Sequence, residues 1–210
     1  MKGRLFKTTI AGVALVALFA TMVVAAGAAQ KSVRATPSTV TITGTVTGIG
    51  GTGSRAWSQP VSGAIISVQG AAETAATAAN GAYSLIATFS AAAYSGKAIT
   101  ATRAPWYSTG TKLLGDGNPQ VQTFRLTVKG TKFTVTVKSG SQRIEGATVA
   151  CFGQSAATNG NGVATLSGLQ LKPRTAYTVR ITKPGYRATS FQAESSPGGT
   201  VRFTQSITKM

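Results

Sequence analysis

The chain has 210 residues, with 21 lysines and arginines, four acids, no histidine and a formal net charge of +17. At 42% hydrophobic and 12% charged it is too apolar for a disordered chain, and its threonine and valine content favours strands. Such a charge attracts polyanions, but the bases are scattered and no basic run carries interleaved aromatics, which argues against nucleic acid as a partner.

In chain order, Met1 to Lys7 is basic, Ile10 to Val24 is apolar, and Ala26-Gly27-Ala28 offers a small-residue cleavage site. Residues 1–29 therefore read as a signal peptide. The alternative is a retained N-terminal apolar helix, since 8–29 is long enough to span a bilayer, and membrane contact is then confined to those residues. Both readings place the remainder outside the cell or on its surface. A polar linker follows over 30–38.

Val40, Ile42, Gly44 and Val46 then alternate with Thr41, Thr43, Thr45 and Thr47, the pattern of a half-buried strand. Gly48 to Gln59 reads as a long glycine-rich loop. Ala64 to Gln69 is the next strand, a short one is expected near Ala75 to Ala78, and Asn80-Gly81 predicts a type I′ hairpin turn into Tyr83 to Phe89. Lys97 to Arg103 alternates again, Ala104 to Gln120 is a loop dense in turn residues, and Val121 to Val128 is the last strand of the unit.

The order then repeats. Strands are expected around Phe133, Val135 and Val137, at Ala147 to Phe152, Val163 to Leu166, Tyr177 to Thr182 and Val201 to Ile207, and Ser139 to Gln142 replaces the long first loop. Gly63-Ala64-Ile65-Ile66-Ser67-Val68 is echoed by Gly146-Ala147-Thr148-Val149-Ala150-Cys151, and Asn80-Gly81-Ala82-Tyr83-Ser84-Leu85 by Asn161-Gly162-Val163-Ala164-Thr165-Leu166. The fold class is all-β: two tandem sandwiches, 39–129 and 130–210, of about seven short strands each. Only Lys129 to Thr131 joins them, so end-to-end stacking is expected rather than independent tumbling. Cys151, alone of its kind in an alternating strand, reads as a small buried hydrophobe.

Pro60-Val61-Ser62-Gly63-Ala64, the alternating strand, the threonine-bearing loop and Asn80-Gly81-x-Tyr83-x-Leu85 together resemble a carboxypeptidase regulatory-like domain, a transthyretin-like (prealbumin-like) β-sandwich. The second unit is similar through Ile144-Glu145-Gly146-Ala147, Asn161-Gly162-x-Ala164-x-Leu166 and Lys183-Pro184-Gly185-Tyr186. The resemblance covers about Val40 to Lys209 and implies an accessory, adhesive or scaffold role without catalysis. Related Cna-B-like surface modules carry an isopeptide bond between a first-strand lysine and a last-strand asparagine, assisted by an acid. Lys132 could be that lysine, but Val201 to Thr208 holds no asparagine and Thr182 stands where an acid would be sought. No loss of ammonia from the intact mass is therefore expected.

The absence of histidine removes the commonest general base and metal ligand. The four acids, Glu73, Asp116, Glu145 and Glu194, are spread over both units, whereas a glycosidase needs two positioned carboxylates. Asp116-x-Asn118 supplies only two side-chain oxygens, too few for calcium, and reads as a turn. No catalytic residue, metal or cofactor is expected. Loops of a rigid sandwich are the better candidates for binding: Arg55 and Trp57 in the first, Trp106 and Tyr107 in another. Aromatic faces beside a base suit a protein or an anionic polysaccharide at the cell surface, although each aromatic could instead anchor its own loop. The other reading is a subunit of a larger surface assembly, self-associating through edge strands or held by the N-terminal segment.

Overall fold

The computed structural model describes residues 37–90 and 93–210; the leader or anchor expected at 1–29, and most of the linker, lie outside them. Nine strands come first: β1 (Ser38–Gly50), β2 (Trp57–Pro60), β3 (Ile65–Val68), β4 (Thr74–Ala76), β5 (Ala82–Phe89), β6 (Ala98–Thr102), β7 (Gly110–Leu113), β8 (Gln120–Val121) and β9 (Phe124–Thr127). Eight follow: β10 (Thr131–Ser139), β11 (Gln142–Arg143), β12 (Thr148–Cys151), β13 (Gln154–Ala157), β14 (Val163–Leu169), β15 (Ala176–Thr182), β16 (Thr189–Glu194) and β17 (Thr200–Ser206).

One plan is used twice. Sheet β2-β1-β5, with β8 and β9 also on β1, is matched by β11-β10-β14 with β17 on β10, and β4-β3-β6-β7 is matched by β13-β12-β15-β16. In each copy the opening strand is the hub, antiparallel to the strand that follows it and to the strand after the Asn-Gly turn, and parallel to the closing strand. Alternation explains the layering: Val40, Ile42 and Val46 of β1, and Phe133, Val135 and Val137 of β10, are buried while the intervening threonines face outward. Burial produces two separate cores, one from Val40 to Val128 and one from Phe133 to Ile207. In the second, Phe203 meets Phe133 edge-on at 5.8 Å and Phe191 at 4.9 Å. Lys132 is exposed and stands opposite Thr200 in the β10–β17 register.

Several local expectations are corrected. Gly48 to Gln59 is not a loop: β1 runs on to Gly50 and β2 folds back on it, with Gly50 opposite Trp57. The glycines of β1 are notches for aromatic rings. A Cβ on Gly48 would lie 2.5 Å from the Tyr107 ring, and one on Gly50 would lie 2.6 Å from the Trp57 ring. Ala104 to Gln120 likewise holds a strand, β7, and β11, β13 and β16 raise the second unit above the seven strands expected. In β16 the alternation of Ser190 and Gln192 with Phe191 and Ala193 was readable, but alanine and glutamine mute its β signal.

The Asn-Gly pairs do not form type I′ turns, which need positive φ at two successive central residues. Only Gly81 (φ 78°) and Gly162 (φ 68°) are left-handed there. Gly81 N–H donates to the Ala78 carbonyl at 2.9 Å and Gly162 N–H to that of Asn159 at 2.7 Å, so each is a turn closed by a left-handed glycine. The turn passes the chain from one sheet of the sandwich to the other instead of closing a simple two-strand ribbon.

A buried threonine is duplicated just before each turn. Thr77 Oγ1 accepts the Ala64 N–H at 2.8 Å and donates to the Val61 carbonyl. Thr158 Oγ1 accepts the Ala147 N–H at 2.8 Å and donates to the Ile144 carbonyl at 2.6 Å. Each hydroxyl thus closes the tight entry to the glycine-alanine strand from within the core.

Burial also sets an alkaline limit. It raises the Cys151 thiol from 9.0 to about 11 and the Tyr83 phenol from 10.0 to about 12. Both groups are neutral when protonated, so the folded chain holds these protons to higher pH than the unfolded chain. Their stabilising contribution is complete below pH 9 and pH 10 and is lost as pH climbs to about 11 and about 12. The urea midpoint should therefore stay level to pH 9 and fall above it. Cys151 should remain unreactive to an aromatic disulfide reagent at pH 8 until urea unfolds the second core; prompt reaction of the folded chain would contradict this placement.

Candidate functional site

The four loop residues singled out in the sequence converge on the joint between the two cores. The β1–β2 hairpin is longer than its β10–β11 counterpart, and its tip makes a short 3-10 turn at Gly53–Arg55. Arg55 reaches the second sandwich: a Cβ on Gly153 would lie 2.8 Å from its guanidinium carbon. The following strand carries Trp57, whose indole Nε1–H donates to the Gln170 carbonyl at 2.9 Å, 113 positions along the chain. The ring itself packs on the first core, so Trp57 is anchored in one sandwich and bonded to the other.

Trp106 plays the same part from the opposite loop. The guanidinium of Arg103, just after β6, lies 4.8 Å from its ring centre, and that of Arg174, from the second sandwich, lies 4.7 Å away. Both are cation–π contacts. Backbone support comes from the Lys129 N–H, which donates to the Trp106 carbonyl at 2.8 Å. Tyr107 turns inward instead. It is 4% exposed, fills the notch at Gly48, and its hydroxyl accepts from Gln59 Nε2 at 2.9 Å. Burial raises its phenol pKa, with the Gln59 bond and the Arg103 charge opposing. It therefore belongs to the core and reaches the surface only at the floor of a cleft beside Gln59.

Clefts lie along this joint. One of about 400 Å³ is lined by Trp57, Arg125 and Gln170, and a neighbour of about 240 Å³ by Arg55, Phe152 and Gly153. On the other side, about 280 Å³ is bounded by Gln59, Ser62, Arg103, Trp106, Tyr107 and Arg174. Beyond Trp106, a further cleft of about 490 Å³ includes Arg174 and Glu194. Among the described residues only Phe152 (φ 49°) and Arg174 (φ 55°) are non-glycine residues in the left-handed region, and both line these clefts.

Sequence reasoning missed Gln59, Arg103, Gln170 and Arg174. For Gln59 a signal existed, because it lies two residues after Trp57 and so on the same strand face. The others are set by the meeting of the two sandwiches. No group of three or more histidine, cysteine, aspartate or glutamate side chains converges among the described residues. Asn118 is consumed structurally: its Oδ1 accepts the Thr41 N–H at 3.0 Å and its Nδ2 donates to the Thr39 carbonyl at 3.0 Å, tying the turn to β1. Glu73 accepts the Thr88 N–H at 3.2 Å. Among the described residues no helix is long and apolar enough to cross a membrane.

No family model matches the chain, and no curated protein matches it. Among solved structures it is similar to the TIE protein of Bacillus anthracis, at 16% identity and a TM-score of 0.44 over 82% of this chain and 34% of that one. The chain thus spans about a third of the TIE protein's length. It is also similar to a minor pilin of Streptococcus agalactiae, at 13% identity, a TM-score of 0.32 and coverage of 81% and 96%. A major pilin of Streptococcus pyogenes matches at 9% identity, a TM-score of 0.26 and coverage of 84% and 100%.

Proposed function

We propose that this chain is a non-catalytic structural module of the cell surface, exported by its N-terminal segment. Its two sandwiches, divided near Lys129 to Thr131, work as one stiff body that presents a basic surface to acidic cell-wall or glycan polymers. The observation that carries the reading is the commitment of both tryptophans across the joint, Trp57 to the Gln170 carbonyl and Trp106 to Arg174. Side chains that look like loop binding groups are used to fix two bodies together. The +17 charge agrees with adhesion to acidic polymers.

Unfolding tests the joint. The wild-type chain is expected to melt in one calorimetric transition, because loss of either sandwich strips partners from the other. Trp57→Phe removes the bond to Gln170 and should cost about 1 kcal/mol. The double variant Trp57→Phe, Trp106→Ala should separate the transition into two. Two well-resolved transitions in the wild type would sink the stiff-body reading.

A further inference from the structure

We infer that the cleft bounded by Gln59, Ser62, Arg103, Trp106, Tyr107 and Arg174 binds the carboxylate of an acidic sugar, gripped by one guanidinium from each sandwich. The inference deepens the acidic-polymer reading above, and rests on it, by giving that polymer a specific seat.

Charge is the first argument. Two guanidiniums face one cleft of about 280 Å³, and no acidic side chain lines it. With no acid to offset them, they leave the recess positively charged, and an anion bound there would be stabilised. The cleft is at the small end of pockets that hold small molecules, about 300–1,000 Å³, which suits a single sugar ring.

Preorganisation is the second. Arg103 is fixed by its Nε–H, which donates to the Ser62 carbonyl at 2.9 Å, and it lies over Gly63, which has no side chain to displace it. Arg174 sits at φ 55°, a conformation that a residue with a Cβ seldom adopts. Its loop is pinned: the Lys172 N–H donates to Tyr177 Oη at 2.8 Å, and Ser195 Oγ donates to the Lys172 carbonyl at 2.6 Å. Backbone strain of this kind gathers at ligand clamps, where the surrounding structure over-determines the residue. Stacking on Trp106 then orients both planar forks.

The shape of the ligand follows from these groups. Guanidinium forks match the two oxygens of a carboxylate. Gln59 and Ser62 line the same cleft, and their side chains offer hydrogen-bonding partners for hydroxyls on the same ring. A cleft of about 280 Å³ has room for one ring rather than a run of stacked bases, which favours an acidic sugar over single-stranded nucleic acid.

The two indole N–H signals of the ¹⁵N-labelled full-length chain report the test directly, with Trp57 as internal control. Trigalacturonate should shift the Trp106 signal saturably and leave that of Trp57 in place, and its methyl ester should do nothing. Arg174→Gly should weaken binding about tenfold or more, the loss expected for one charge-assisted pair. Because glycine accepts the left-handed conformation, that variant should keep the native fold, its melting temperature falling only by what the Trp106 contact contributes. Arg103→Gln gives a second, independent loss, and Arg202→Ala, on the exposed face of β17, should change affinity less than about twofold. The cleft assignment is overturned by a stationary Trp106 signal, by an equal response to the ester or to inorganic phosphate, or by equal losses at Arg202 and Arg174. Equilibrium dialysis separates the two levels. Trigalacturonate retained without a Trp106 shift overturns the cleft alone, and no retention at low salt removes the acidic-polymer reading with it.

Discussion

Gly44→Ala is expected to lower the stability of the first sandwich by about 3 kcal/mol, the upper end of the usual range for overpacking. A Cβ there would lie 1.9 Å from the Gln122 carbonyl oxygen and 3.1 Å from the Tyr83 hydroxyl. Neither neighbour can yield easily. Gln122 is tied to β1 by its N–H, which donates to the Thr43 carbonyl at 2.8 Å, and Tyr83 Oη donates to the Gln122 carbonyl at 2.6 Å. Methyl and carbonyl would compete for the point where β8 gives way to β9 along the hub strand. Gly115→Ala is the control, since nothing lies within 4 Å of a Cβ at that position. Urea denaturation should show a large shift for the first substitution and almost none for the second. Equal midpoints would mean that the chain opens at Gln122 without cost.

Thr77→Val and Thr158→Val should each cost about 2–4 kcal/mol, although valine keeps the shape of threonine. The reason is the pair of backbone groups left behind. Without Thr77 Oγ1, the Ala64 N–H and the Val61 carbonyl lose the partner that serves them inside the core. Without Thr158 Oγ1, the Ala147 N–H and the Ile144 carbonyl lose theirs. Serine at either position should recover most of the loss. A third buried threonine provides the contrast: Thr131 Oγ1 is enclosed with no partner, so its replacement by valine should be neutral or stabilising. If all three valine variants behaved alike, the hydroxyls would not be acting through these bonds.

Much of the fold was legible because threonine and valine alternate so cleanly in β1, β10 and their neighbours, and because the glycine-alanine strand and the Asn-Gly turn occur twice. The misread segments share one cause. Gly48 and Gly50 read as loop residues when taken locally, since glycine weakens an isolated strand. Their role appears only when the rings of Trp57 and Tyr107 are brought over them from elsewhere in the chain. The turn type was misjudged for a similar reason: Ala78 to Gly81 joins two different sheets, and tertiary pairing overrides the preference of the dipeptide. At the joint, the prominence of Trp57 and Trp106 as aromatics beside bases was legible. What they touch was not, because Gln170 and Arg174 lie in the segment between β14 and β15 and carry no local pattern that points back.

The parallel pairing of opening and closing strands has a mechanical consequence. In the second sandwich, β10 and β17 lie side by side from Lys132↔Thr200 to Lys138↔Ser206. Tension entering at the start of β10 and leaving at the end of β17 would drag the two strands along each other. Their ladder would be sheared as a whole rather than opened one rung at a time.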